Sequence, residues 1–279
     1  MTRLPVRKTY KLFIGGTFPR SESGRTYEAQ GQNVARASRK DVRDSVVAAR
    51  GAQGKWAGAT AYNRGQVLYR VAEMMEARVA EFAELCTGKD EVHRSIDRWV
   101  WYAGFADKLA QVLGSSNPVA GPYFNFTIPE PTGVVGVVAS EASSLLGLVS
   151  RLAPPLVAGN TVVLLASQTR PLPAVTLTEV LATSDVPGGV VNVLTGLKAE
   201  LVPVLAGHVD VDAIDVWGVP DDLRTDVELV AADNVKRLAR RPAGAVDAKF
   251  DWLDDRAAER PEWIAAFLEM KTVWHPIGV

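Results

Sequence analysis

Short, valine-rich apolar runs that alternate with helix-length segments dominate the chain from Gly133 onward. The runs are GVVGVVA (133–139), TVVLLA (161–166), VVNVLTG (190–196) and AIDVWG (213–218). They lack the polar alternation of a strand with one solvated face, so they are typical of parallel strands covered by helices on both faces. The segments between them have the length of crossover helices. The sequence therefore predicts an α/β fold with a Rossmann-like, doubly wound parallel sheet.

Residues 1–114 predict a mostly helical N-terminal segment. A Gly15-Gly16 turn in KLFIGGTF predicts a small hairpin at the edge of the main domain. Ser38 begins a helix, and Asp41 can complete a capping box with it. A clearer apolar stripe predicts one helix over residues 63–87, and a third helix is expected over about 91–112. Cys86 lies on the stripe of the second helix.

The stretch YFNFTI (123–128) predicts a strand of a different kind. Phe124, Phe126 and Ile128 alternate with polar residues, and prolines at 122, 129 and 131 flank the run. Because proline is confined to the edges or ends of sheets, we expect a projecting β-ribbon arm rather than a central strand.

Composition excludes several function classes. With a formal net charge of -1 over 279 residues, the chain lacks the basic surplus that nucleic-acid binding requires. No apolar run is long enough to span a membrane, and the first residues do not resemble a leader, so a cytoplasmic location is expected. One cysteine and three scattered histidines exclude a disulfide and predict no metal site.

Several stretches resemble the nucleotide-binding portion of the aldehyde dehydrogenase superfamily. The matching segments are LFIGGTF, DRWVWYAGFADK, GPYFNFTIPEPTGVVGVV, LAPPLVAGNTVVL, VPGGVVNVLTG and HVDVDAIDVWG, and FLEMKTVWHPIG resembles the strand that closes family members. The resemblance implies that residues 1–121 and 132–245 form the nucleotide-binding-like domain. Residues 122–131 and 246–279 would form the oligomerisation arm and C-terminal strand. The cysteine-bearing catalytic domain is expected to be absent, as in an internal deletion.

The resemblance assigns no catalytic residue. The family's oxyanion-stabilising asparagine falls on Ala142, and its general-base glutamate falls on Arg241, within Arg241–Ala245. Gly196, Lys198 and Gly218 are the weak matches to cofactor-binding positions, whereas Leu165, Gln168, Trp217 and Val219 replace other cofactor contacts. The resemblance therefore implies that NAD binds weakly, and no tightly bound cofactor is expected.

Three residue groups have alternative interpretations. Cys86 could be a relocated nucleophile, but its place on an apolar stripe near a helix C-terminus favours core packing. Glu141 could be a displaced general base, although a solvated loop carboxylate is the commoner case. The basic run KRLARR (236–241) could bind an anion, but a solvated basic segment is again commoner.

Taken together, these features predict a noncatalytic pseudoenzyme subunit that assembles with a full-length NAD(P)-dependent aldehyde dehydrogenase through the region of Phe124, Phe126 and Trp274. An unpaired aromatic edge strand needs a covering partner, and the resemblance implies a partner that retains the catalytic domain. A residual NAD-dependent oxidoreductase acting on aldehydes and an NAD(H)-sensing module are the alternatives.

Overall fold

The computed structural model describes residues 7–86, 88–242 and 245–278. Its strands are β1 Thr9–Tyr10, β2 Thr26–Ala29, β3 Gln32–Ala35, β4 Ser115–Asn117, β5 Tyr123–Pro131, β6 Val134–Val138, β7 Thr161–Leu165, β8 Val191–Leu194, β9 Ala213–Asp215, β10 Arg237–Ala239 and β11 Leu268–Pro276. Its helices are α1 Arg39–Ala57, α2 Ala61–Glu76, α3 Val79–Leu85, α4 Lys89–Phe105, α5 Leu109–Leu113, α6 Leu146–Val157, α7 Leu172–Ala182, α8 Lys198–Gly207, α9 Arg224–Asp233, α10 Asp255–Ala258 and α11 Pro261–Ala265.

A five-stranded parallel sheet forms the centre of the molecule, in the order β10-β9-β6-β7-β8. All five residues of β6 and of β7 are buried. Val135 and Val137 face one apolar cluster, with α2, α4, α6 and α7, while Val134 and Val138 face a second cluster, with α1 and α8. The predicted doubly wound α/β fold is confirmed, because both faces of the sheet are covered.

The N-terminal segment contains the predicted turn at the edge of the main domain and the predicted capping box of α1. Gly15 and Gly16 have positive φ angles and make a tight turn between Ile14 and Thr17. Phe13 exchanges two backbone hydrogen bonds with Val193, so this turn covers the β8 edge. Ser38 and Asp41 make the full capping box of α1.

The ribbon is a separate antiparallel sheet in the order β11-β5-β4. β11 pairs with β5 along its whole length, from Leu268 opposite Pro131 to Pro276 opposite Tyr123. β4 pairs only with Asn125–Thr127, so Pro129 and Pro131 lie where β5 has β11 as its one neighbour in this sheet. The prolines therefore cost the sheet little, because they need donate no hydrogen bond on that side.

Three sequence-based helix boundaries were wrong. The helix predicted over 63–87 breaks at Ala77–Arg78 into α2 and α3, and Thr87 lies outside the described residues. The third helix gives way to a 3-10 turn at 106–108, and Val112 is exposed. A final helix expected near 261–270 ends at Ala265, because β11 begins at Leu268. In each case tertiary packing overrides a local pattern that contains no glycine or proline at the break.

The basic run KRLARR was also misread as a solvated segment. Residues 237–239 form β10, the edge strand of the central sheet. Lys236 is buried and its Nζ donates to the carbonyl of His208 at 2.6 Å. The run is therefore structural, and its cations are held by the chain itself.

Residues 247–267, here called the closing segment, pack on the α/β body. Trp252 and Ile264 are buried, and Phe267 is fully buried in the main core. Only Leu268–Pro276 joins the ribbon sheet. The division that placed all of 246–279 with the arm therefore shifts to about residue 268.

Candidate functional site

The carboxyl ends of β6 and β9 meet where the chain order of the sheet reverses, since β7 lies on one side of β6 and β9 on the other. Ligands of doubly wound sheets bind in the crevice outside this point. Residues 139–143 after β6 and residues 216–219 after β9 lie at this point, which is here called the switch-point crevice. Most of the sequence-predicted site residues lie in these two turns or contact them.

Lys198 and Glu141 form an ion pair at this crevice. Lys198 begins α8, its side chain is 4% exposed, and its Nζ lies 2.6 Å from Glu141 Oε1. The same ammonium donates to the carbonyls of Ala139 at 2.6 Å and Gly218 at 2.9 Å. Burial lowers the pKa of Lys198, and Glu141 opposes that effect. All the ammonium's hydrogen-bond capacity is therefore used within the chain.

The Glu141 carboxylate accepts further hydrogen bonds from the turn after β7. The donors are Ser167 Oγ at 2.7 Å, the backbone N–H of Gln168 at 2.8 Å, and the backbone N–H and Oγ1 of Thr169 at 3.2 and 2.7 Å. Although burial opposes it, the Lys198 charge and these hydrogen bonds hold the pKa of Glu141 at about 2. A carboxylate stabilised in this way is a poor general base. Glu141 is therefore a partly exposed carboxylate whose oxygens are engaged by Lys198 and the turn after β7.

Gly218 is required by a close backbone approach. A Cβ built on it would lie 1.9 Å from the carbonyl oxygen of Ala139, and its N–H donates to Val138 at 3.0 Å. Gly196 has φ +155, and a Cβ there would lie 2.8 Å from Leu201. Both glycines have steric reasons within the fold itself.

Trp217 is fully buried at the centre of an aromatic cluster. The rings of Phe250 and Trp252 each lie 4.8 Å from its ring, and that of Trp263 lies at 5.8 Å. Its Nε1 donates to Asp247 Oδ1 at 2.7 Å. The closing segment therefore supplies these three ring contacts and the acceptor of the indole N–H.

A buried ion pair lies beneath the cluster. Arg151 Nε donates to Asp215 Oδ2 at 2.6 Å, and both side chains are at most 1% exposed. The other Asp215 oxygen accepts from the backbone N–H of Trp217 at 2.8 Å, and the Arg151 guanidinium lies 4.4 Å from the Trp263 ring centre. The pair fixes the turn after β9 and supports the indole cluster.

Ala142 and Arg241 stand at the two positions that the resemblance aligns with catalytic groups, and both make contacts within the chain. The backbone N–H of Ala142 donates to Ser140 Oγ at 3.0 Å, and its methyl group cannot donate a hydrogen bond. Arg241 Nε and Nη2 donate to the carbonyls of Trp217 and Val219 at 2.7 and 3.1 Å. Burial lowers the pKa of Arg241. Of the aligned segment 241–245, Ala243 and Gly244 lie outside the described residues.

Cys86 follows α3 and packs, half-buried, against the main apolar core. Burial, with a smaller contribution from Glu91, raises the pKa of its thiol to about 12. Such a thiol is almost wholly protonated at neutral pH, which disfavours nucleophilic chemistry.

Asp247 and Trp252 were missed by the sequence analysis. They lie in a stretch without helical or strand periodicity, and their role depends on contacts with residues far away in the chain. The one available signal was the presence of two tryptophans, at 252 and 263, in an otherwise polar stretch, because tryptophan is highly buried on average.

Within the described ranges, no group of three or more His, Cys, Asp or Glu side chains is placed to hold a metal ion. No helix in those ranges is long and apolar enough to cross a membrane.

Comparison with known proteins gives consistent matches. The model of the aldehyde dehydrogenase family matches residues 25–242. A putative aldehyde dehydrogenase, DhaS, of Bacillus subtilis (strain 168) is 32% identical over 258 residues, which cover 86% of this chain and 51% of the relative. The 2-hydroxymuconic semialdehyde dehydrogenase of Pseudomonas sp. (strain CF600) is 36% identical over 278 residues, which cover 90% of this chain and 56% of that relative.

A solved structure of an aldehyde dehydrogenase from Bacillus cereus, in complex with NAD+, superposes with a TM-score of 0.78 at 25% identity. The match covers 84% of this chain and 50% of that chain. The chain thus spans about half the length of these three proteins.

Proposed function

The chain belongs to the aldehyde dehydrogenase family, and from that premise we propose that it is a noncatalytic subunit which assembles with a full-length NAD(P)-dependent aldehyde dehydrogenase and stabilises or regulates it. In this proposal the cysteine-bearing domain is missing from the chain and is provided by the partner. The active site would belong wholly to the partner.

The observation that carries the proposal is the outer edge of β11. This strand is nine residues long, pairs with β5 on one side, and is the terminal strand of its sheet in the described part of the chain. Large apolar side chains are exposed on the two strands: Tyr123, Phe124, Met270 and Trp274 are 42 to 58% exposed. A long, aromatic, uncovered edge favours pairing with another strand.

Residues at the aligned catalytic positions support a noncatalytic role. Ala142 offers only a methyl group, and Arg241 binds backbone carbonyls of the turn after β9. Cys86 has a raised pKa and lies in a core environment. None of these groups provides a nucleophile, an oxyanion donor or a base.

The arrangement of the C-terminal part supports an internal deletion. Between β10 and β11 the described chain holds the closing segment, with two short helices, α10 and α11. β11 nevertheless pairs residue by residue with β5. In the family, the resemblance implies that this terminal strand adds to a neighbour's catalytic-domain sheet, so we infer a partner that retains such a domain.

Co-expression with an untagged full-length family member from the same genome tests the proposal. We expect the tagged chain to copurify with the dehydrogenase at a fixed stoichiometry, measured by light scattering. Phe124→Asp and Trp274→Asp should each lower the copurified fraction at least about tenfold, because a charge is costly in an apolar interface.

Leu229→Asp is the matched control, since Leu229 is 63% exposed on α9, away from the ribbon. It should copurify like the unmodified chain. A soluble, strictly homo-oligomeric product that retains no dehydrogenase would overturn the proposal.

A further inference from the structure

A side chain of the closing segment is held at the switch-point crevice as a bound anion would be. Asp247 Oδ1 accepts hydrogen bonds from Ser140 Oγ and Trp217 Nε1, both at 2.7 Å, and Oδ2 accepts from the backbone N–H of Glu141 at 3.1 Å. Ser140 Oγ in turn accepts from the N–H groups of Ala142 and Ser143. Successive N–H groups in such a turn make an anion-binding concavity, and here its occupant is part of the same chain.

The aromatic residues that follow Asp247 complete the occupation. Phe250 and Trp252 pack on Trp217, and Trp252 is 6% exposed. Trp252 also lies against α6 at Gly147, where a Cβ would come within 3.0 Å of its indole. The absence of a side chain at Gly147, in the first turn of α6, therefore leaves room for the Trp252 ring.

Four further hydrogen bonds, from two residues of α4, hold the closing segment. The Arg98 side chain is fully buried and donates to Asp255 and Glu259 at 3.1 Å and to the carbonyl of Trp252 at 3.3 Å. Tyr102 Oη donates to the carbonyl of Ala258 at 2.9 Å. The closing segment is thus bound along most of its length.

A dinucleotide does not fit the residues present. Of the positions that the resemblance aligns with cofactor contacts, Gln168 uses its Oε1 to accept the backbone N–H of Lys198 at 2.9 Å. The Lys198 ammonium is consumed by Glu141 and two carbonyls. Trp217 lies buried against the closing segment, and Gly218 is pressed against Ala139. The cationic side chain of this set and the backbone N–H groups of Gln168, Trp217 and Gly218 are thus engaged within the chain and are not available to a pyrophosphate.

We propose that the switch-point crevice of this chain is a structural joint whose ligand is the closing segment, with Asp247 as its anionic group, and that it does not bind NAD+ or NADH. The joint also positions the start of β11. The carbonyl of Phe267, the residue before β11, accepts hydrogen bonds from Thr132 N and Asn160 Nδ2. The inference stands independently of the partner proposed above, since it concerns the isolated chain.

Ligand binding is tested by titrating the purified chain with NAD+ and NADH to millimolar concentration, by calorimetry and by the shift in thermal midpoint. A full-length family member serves as the positive control. We expect no saturable heat and no shift for this chain. Saturable binding with a Kd below 1 mM would correspond to a free energy beyond about -4 kcal/mol and would overturn the inference.

The internal ligand is tested by limited proteolysis of Asp247→Ala and of the conservative Asp247→Asn. We expect cleavage within residues 247–263 to accelerate at least about tenfold in Asp247→Ala, because the opened form becomes more populated, and less in Asp247→Asn, which keeps one acceptor oxygen. Asp251→Ala is the control, because the carboxylate of Asp251 accepts from the nearby N–H of Leu253. Equal cleavage of the Asp247 and Asp251 variants would contradict the proposed joint. If Asp247→Ala fails to fold, Asp247→Asn and the titration still decide.

Discussion

Lys198 Nζ lies 2.6 Å from Glu141 Oε1, and this contact joins the first turn of α8 to the turn after β6. The lysine is buried, whereas the Glu141 side chain is 36% exposed. The Lys198 charge, which the resemblance places at a cofactor-binding position, is therefore neutralised inside the chain. Removal of the Lys198 ammonium would leave the partly buried Glu141 carboxylate with its hydrogen bonds but without a counter-charge.

The pH dependence of stability should report the Glu141 contribution. Its pKa in the folded chain is about 2, below the ordinary value of 4.5, so its stabilisation is complete above about pH 4.5 and is lost as pH falls towards 2. After solvent screening, we expect Glu141→Gln to lower the free energy of unfolding by about 1–2 kcal/mol at pH 6. Urea unfolding from pH 6 to pH 3 should show this difference shrinking; a constant difference would contradict it. Glu28→Gln, at an exposed carboxylate, is the control.

Arg98 is expected to be a major stabilising residue. Its buried guanidinium donates to Ser150 Oγ at 2.6 Å as well as to the closing segment. Arg98→Met should lower the free energy of unfolding by about 3 kcal/mol, because buried partners lose their counter-charge. Arg94 pairs with the same Asp255 at 2.8 Å but is 45% exposed. Arg94→Met should therefore cause little change in chemical unfolding, and equal effects would argue against the role given to Arg98.

Gly218 should not tolerate even a methyl group. The Cβ of Gly218→Ala would lie 1.9 Å from a backbone oxygen, which cannot move away as a flexible side chain could. We expect a loss of at least about 3 kcal/mol in unfolding free energy, or insoluble protein. Gly104→Ala in α4 meets no atom within 4 Å and should raise stability by up to about 0.5 kcal/mol. Thermal midpoints of the two variants should move in opposite directions.

Val235 is held in an unfavourable backbone conformation. Its φ is +53, and its side chain is 91% exposed, so packing does not compensate for the strain of a β-branched residue there. Val235→Asn should raise the unfolding free energy by about 1 kcal/mol. Val209→Asn, at a valine that is 73% exposed with no positive φ, should have no comparable effect. Denaturant midpoints measured for both variants check the expectation.

Cys86 should react slowly with alkylating reagents. Since its pKa is about 12 and the ordinary value is 9.0, its thiolate population is roughly a thousandfold lower than that of a free thiol. Iodoacetamide labelling at pH 8, followed by mass spectrometry, should be correspondingly slower in the folded chain than in urea. Comparable rates in the two conditions would indicate an activated or mobile thiol.

The central sheet and the capping box could be predicted because their signals are local. Val134–Val138 and Thr161–Leu165 are apolar runs whose length and spacing define parallel strands. The pairing of Lys198 with Glu141 could not be predicted, since nothing in the sequence of either turn specifies the other. The same holds for β10, which has three residues within a basic run, and for Asp247, whose partners lie more than a hundred residues earlier or in the turn after β9.

The pairing of β5 with β11 has a consequence for the order in which the molecule can fold. β5 is synthesised well before β11, the strand that completes its sheet. The pair of Tyr123 and Pro276 can form only after residue 276 has been added to the chain. Contacts between residues so distant in sequence form slowly, because a long loop must close first. The nascent chain therefore carries an aromatic hairpin, β4 and β5, before its third strand is present. During this time the exposed edge of β5 is prone to aggregation, and a bound partner or a chaperone would reduce that exposure.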